Sequence, residues 1–139
     1  LNHFLADMLL LVMKCINEMQ FQEARNILVE LGRYHLSHEI LLFFAGRIEF
    51  LEQRVDEAIS LLNQAVEQNP KFWPAHYYLG QILIEFDPDS ARTHLQNCIE
   101  TIHQELDHQE DKYTFLMEHF SQQYFLDICE KRMALLQET

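Results

Sequence analysis

Backbone breakers are scarce in this chain, which holds three Gly and three Pro in 139 residues. A fold of many short strands needs a turn residue every few positions, so that class is excluded and long helices are expected. Long apolar runs are missing as well. The longest, Met8 to Met13 and Ile40 to Ala45, fall far short of the roughly 20 residues that cross a bilayer. No stretch combines a charged start, an apolar middle and a small-residue cleavage site, so a cytoplasmic, soluble protein is expected. Cysteine is limited to Cys15, Cys98 and Cys129, an odd and widely spaced set. A disulfide framework would want an even count in a small secreted chain, so buried free thiols are expected instead.

Positive charge is also short. Ten Lys and Arg stand against 22 Asp and Glu, a formal charge of −12. Such a field repels phosphate backbones and anionic lipid, which argues against nucleic acid and membrane as partners. A basic or mixed-charge polypeptide fits better, and much of the surplus serves as solvated surface. The first residue is Leu1 rather than Met, so a piece of a longer protein is expected, with further domains upstream.

What the chain does have is apolar content, 48% of its residues. A chain this long can bury roughly two-thirds of its unfolded surface, and one domain over 1–139 is expected. Its clearest feature is a repeat. Phe21-Gln-Glu-Ala24-Arg-Asn-Ile27-Leu28 is followed 34 positions later by Val55-Asp-Glu-Ala58-Ile-Ser-Leu61-Leu62. A third copy, Asp89-Ser90-Ala91-Arg-Thr-His-Leu95, stands 33 positions further on. Ahead of the copies run stretches of helical period, such as Met8, Leu11, Val12, Cys15 and then Leu79, Ile82, Leu83, Phe86. Each unit reads as helix, short turn, helix. The small Ala24, Ala58 and Ala91 allow close approach, and Leu28, Leu62 and Leu95 fill the space one turn later. Asn69-Pro70 ends a helix, because the residue before Pro avoids the helical region. Asp87-Pro88 reads as a cap followed by Pro at the first helical position.

These residues resemble the tetratricopeptide repeat family, whose 34-residue units place Leu-Gly in helix A, Ala and large apolar residues in helix B, and a closing Pro. The unit 39–72 supplies Ala45-Gly46, Val55, Ala58, Leu62, Ala65 and Pro70. The unit 73–105 supplies Leu79-Gly80, Leu83, Ala91, Leu95 and Cys98. The unit 5–38 is looser, with Leu11-Val12, Phe21, Ala24, Leu28 and Leu31, and Leu36 where Pro is usual. Glu49 and Leu83 stand where the family has an aromatic, and the turn of the third unit is one residue short. The resemblance implies an all-α fold: an α-solenoid of three helix pairs with a C-terminal capping helix. Tyr113, Leu116, Met117, Phe120, Tyr124, Ile128 and Leu135 follow roughly three-to-four spacing, placing that amphipathic helix at about 112–137. Capping the last repeat is its expected role; docking on a second copy as a homodimer, or into its own groove, are the alternatives.

The resemblance also implies a binding site for a protein or peptide on the face lined by the A helices. Carried over by position, that face holds Ala6, Leu9, Met13, Ile16 and Asn17, then Ile40, Phe43, Arg47, Phe50 and Leu51. The third unit adds Pro74, Tyr77, Gln81, Ile84 and Glu85. The core of the expected groove is Leu9, Met13, Phe43, Arg47, Phe50, Tyr77, Gln81 and Ile84. Its only cation is Arg47, so the Lys-Asn-Arg clamp that holds chaperone C-termini in one subfamily is absent. An apolar groove suits an amphipathic helix or an extended segment with hydrophobic anchors.

Catalytic and metal chemistry find little here. No cofactor is expected, for no glycine-rich phosphate loop exists. No metal is expected either: His35 with His38, and His103 with Asp107, fall short of the three or four ligands zinc needs. Thiols on apolar helix faces make poor nucleophiles. The segment is therefore read as non-catalytic. Asn69-Pro-Lys-Phe-Trp-Pro-Ala-His-Tyr-Tyr-Leu-Gly80, with Ser90-Ala-Arg-Thr-His-Leu-Gln-Asn-Cys-Ile-Glu-Thr-Ile102, further resembles the repeat region appended to CheR-type chemotaxis-receptor methyltransferases. That resemblance implies an accessory docking module whose catalytic domain lies upstream. The alternative is a free-standing cytoplasmic chaperone of the secretion type, which cradles apolar segments.

Overall fold

The computed structural model describes residues 2–137. They form seven α-helices and two short 3-10 turns, with no strand among the described residues. The helices are α1 (His3–Asn17), α2 (Phe21–Leu31), α3 (His38–Leu51), α4 (Val55–Gln68), α5 (Trp73–Leu83), α6 (Pro88–Asp107) and α7 (Gln122–Gln137). None of the described helices is long and apolar enough to cross a membrane. The chain divides into two compact units, one reaching Gln68 and the other starting at Asn69.

In the first unit, α1 packs on α2, α2 on α3 and α3 on α4. Asn2 caps α1, its side chain accepting the Leu5 N–H at 2.9 Å. After α1 the Met19 N–H bonds the Ile16 carbonyl and the Gln20 N–H bonds that of Cys15. After α3 the Gln53 N–H bonds Phe50 and the Arg54 N–H bonds Glu49. This paired pattern satisfies helix-end carbonyls and needs a left-handed residue, usually Gly. Met19 and Gln53, 34 positions apart, fill it at φ of 60° and 67°. The core gathers Leu9, Val12 and Ile16, then Ala24, Leu28 and Leu31, then Phe43, Phe44 and Ile48, then Ala58, Leu62 and Ala65. Each large side chain so buried contributes about 1.5–3 kcal/mol.

In the second unit, α5 packs on α6 and α6 on α7. Asp87 caps α6, accepting the Ser90 N–H at 3.2 Å, with Pro88 at the first helical position. Ala91, Leu95, Cys98 and Ile102 make its buried stripe. Helix α5 stops at Leu83, so the unit expected at 73–105 gives up its last helical turn rather than its loop.

Two close approaches recur. A Cβ added to Gly46 of α3 would lie 2.9 Å from Leu62 Cγ of α4, and one on Gly80 of α5 would lie 2.5 Å from Leu95 Cδ2 of α6. In both pairs the glycine lets a leucine of the next helix seat against bare backbone.

The C-terminal helix differs from expectation. It begins at Gln122 and not near 112. Residues before it form a 3-10 turn, Thr114–Leu116, and a bend where Glu118 and His119 take φ of 61° and 62°. Two successive left-handed residues break any continuous helix there. The buried side of α7 is Phe125, Leu126, Cys129 and Leu136, whereas Tyr124 and Leu135 of the expected stripe are exposed.

Candidate functional site

The expected A-helix rows divide between the two units. In the first, Leu9 and Met13 lie one turn apart on α1, and both are buried, as is Phe43 on α3. They pack among helices and offer no free surface. Helix α3 is apolar almost all round, so it buries more than one side. Arg47 is half-buried, with its guanidinium 5.8 Å from the Phe43 ring centroid, a cation–π placement. Phe50 and Leu51, on the last turn of α3, are 41% and 45% exposed. The accessible part of this row is thus Arg47, Phe50 and Leu51.

In the second unit, Tyr77 is half-buried and meets the Phe125 ring of α7 edge-on at 5.2 Å. Burial pushes its hydroxyl well above the usual range for tyrosine. Phe125 also lies 5.3 Å from Trp73, so α7 covers the start of the α5 row. Gln81 is half-buried, and its amide nitrogen is buried without a hydrogen-bond partner among the described residues. A native fold seldom leaves such a donor unanswered. Ile84 is not on the helix as expected; it lies half-buried in the turn after α5.

Three polar arrangements escaped the sequence reading. Glu49, in the slot where the repeat family has an aromatic, accepts from Arg25 of α2 at 3.2 Å and from Arg54. Glu52 takes Arg25 and also Arg54, the latter at 2.8 Å. The hydrogen bond from Arg54, joined by that from Arg25, holds the Glu49 carboxyl below the usual carboxylate range. The network ties α2 to the end of α3 and to the turn after it.

Glu105 of α6 is the second. It is 5% exposed, and its Oε1 accepts the Lys112 N–H at 3.3 Å and the Gln122 Nε2 at 3.0 Å. Burial pushes its carboxyl up, and the Lys112 N–H, Trp73 and Gln122 pull it partly back. It borders a cavity of about 390 Å³ lined also by Lys71, Thr101, Gln104, His108, Glu110, Lys112 and Tyr113. Lys112 pairs with Glu110 at 3.2 Å, so these charges largely answer one another. Glu105 clips the loop after α6 to the start of α7. A signal existed: Ala91, Leu95, Cys98, Ile102 and Glu105 share one alternating four-three register.

The third is His76 with His94, Nδ1 to Nδ1 at 2.9 Å across α5 and α6. Among the described residues no three His, Cys, Asp or Glu converge as a metal site. His103 meets Glu130 at 3.9 Å, a contact of α6 with α7.

Comparisons with protein-family models, with curated proteins and with solved structures each find no match.

Proposed function

We propose that this chain is a tetratricopeptide-type repeat module, without catalysis of its own, that binds an apolar peptide or helix along its A-helix rows. Support for the repeat reading comes from features that recur at the repeat interval. Met19 and Gln53 end their helices alike, and Gly46 and Gly80 each seat the leucine of the following helix. Binding rests on one observation above all: Phe50 and Leu51, apolar residues at the end of the expected row of the first unit, are 41% and 45% exposed. An apolar anchor of the peptide would cover these two side chains. Arg47 adds a cation on a row of an otherwise acidic protein. Within this reading, the segment 69–102 favours the accessory region of a receptor methyltransferase over the secretion chaperone.

The test is selection of peptides from a displayed random library on the folded chain, then affinity measurement with Phe50→Glu and Leu51→Ala. Amphipathic sequences with apolar anchors are expected, weakened about tenfold or more by either change at unchanged helicity; one lost side-chain contact of 1.4 kcal/mol is that factor. Unchanged affinity in both variants would move the binding surface elsewhere.

A further inference from the structure

Helices α6 and α7 meet at two thiols. Cys98 Sγ and Cys129 Sγ lie 3.6 Å apart, and both side chains are fully buried. The remaining thiol, Cys15, belongs to α1 in the other unit. A disulfide needs its sulfurs about 2.05 Å apart, so a further approach of about 1.5 Å would join them. Side-chain rotation and a slight shift of α7 can supply that, because α7 is the terminal helix of its unit. A bond here would close the loop of residues 99–128 and tie α7 to α6. Cys129 lies one turn along α7 from Phe125, whose ring meets Tyr77 of α5 edge-on at 5.2 Å, so the joint sits next to the point where α7 covers the α5 row.

We propose that Cys98 and Cys129 are a reversible disulfide site, oxidised by a small disulfide of the glutathione type, which latches α7 onto its unit. Two exchanges complete the chemistry. First, a thiolate of the pair attacks the reagent, whose S–S bond breaks as a protein–reagent bond forms and one reagent thiolate leaves. Second, the other protein thiolate attacks the protein sulfur of that mixed disulfide and expels the second reagent thiolate. The two protein thiol protons end on the two released thiols; the protein pair loses two electrons and the reagent gains them. Burial pushes the Cys98 thiol up and shields both sulfurs. Oxidation therefore runs through local loosening of α7, at a rate set by that opening. The bond then holds the closed arrangement. This inference does not depend on peptide binding.

The test uses the full chain carrying Cys15→Ser, incubated at neutral pH with oxidised glutathione, alkylated, and read by intact mass and peptide mapping. The expected product is lighter by two hydrogens, yields one cross-linked peptide pair containing Cys98 and Cys129, and melts several degrees higher. Reductant should restore the starting melt, and the further Cys129→Ser change should leave no cross-link and no shift. A second arm repeats the incubation in mild urea, which loosens α7 without unfolding the chain. Two separate mixed disulfides there, two free thiols there, or a cross-link that lowers the melt would each overturn the proposal.

Discussion

His76 and His94 hold each other in a fixed pair of tautomers. The Nε2 of His76 lies 2.9 Å from the Pro70 carbonyl oxygen, which can only accept, so that nitrogen carries the proton. Its Nδ1 is then a bare acceptor, and His94 must donate from its own Nδ1 across 2.9 Å. A second proton on His76 would set two N–H groups head to head unless the His94 proton moved to its Nε2. Burial lowers both: His76 sits below the usual imidazole range, and His94, further lowered by its neighbour, falls to about 4.

The pair makes the second unit acid-sensitive. The unfolded chain takes up these protons near the ordinary histidine value of 6.5, and the folded chain only at lower pH, about 4 for His94. Unfolding therefore binds protons, and stability falls as pH drops through that window. The urea midpoint, read by the fluorescence of the single Trp73, should decline between pH 7 and pH 5. His94→Gln should flatten the decline, and a slope left unchanged would show the pair to be irrelevant.

Glu105 acts with the opposite sign. Its carboxyl is pushed above the ordinary 4.5, so the stability it confers is full below that value and is lost as pH rises through its folded value. Glu105→Gln keeps an acceptor for the Lys112 N–H and removes the buried charge. Its urea midpoint should exceed the parent's at pH 7 and match it at pH 4. Glu105→Leu should instead be destabilising by about 1 kcal/mol, because the Lys112 N–H loses its acceptor and Gln122 keeps only the Glu110 carbonyl.

Gly80→Ala tests the recurring helix approach. Alanine gains about 1 kcal/mol of helix propensity, but its Cβ would lie 2.5 Å from Leu95 Cδ2, and overpacking costs about 1–3 kcal/mol. A net loss is expected. Leu95→Ala alone should cost about 2–5 kcal/mol, and the double variant should cost less than the sum. Gly32→Ala is the control. Its Cβ meets nothing closer than 3.8 Å, so a gain of about 0.4–1 kcal/mol is expected from the stiffer unfolded chain. Chemical denaturation of the four variants decides.

How much of this was legible follows from the kind of signal each residue leaves. Pro70 and Pro88 punctuate the backbone through fixed geometry, and the helices end and begin beside them. Ala58 with Leu62, and Ala91 with Leu95, announce a packed face by spacing alone. The tight helix ends at Met19, Gln53 and Gln109 announce nothing, because each adopts the left-handed conformation without being Gly. Tyr113, Leu116, Met117 and Phe120 imitate a helix stripe, yet they line a bend in which Tyr113 meets Phe72 edge-on at 5.0 Å. Periodicity also cannot tell a face turned to a ligand from one turned to another helix. Leu9, Met13 and Phe43, which the family resemblance places in the groove, are buried.

Phe43 and Phe50, seven residues apart on α3, should therefore respond in opposite ways. Phe43 is wholly buried against Phe44, at 5.0 Å between ring centroids, so Phe43→Ala should lose about 3–5 kcal/mol through lost contact and the cavity left behind. Phe50 has 41% of its surface in water, so Phe50→Glu should stay within about 0.5 kcal/mol of the parent. If Phe50 serves as an anchor, that same change should abolish capture of the selected peptide. Thermal melts followed by circular dichroism, paired with peptide titration, separate the two effects. A Phe43→Ala chain that melts like the parent would mean that α3 is turned differently, and the division between packed and presented residues would have to be redrawn.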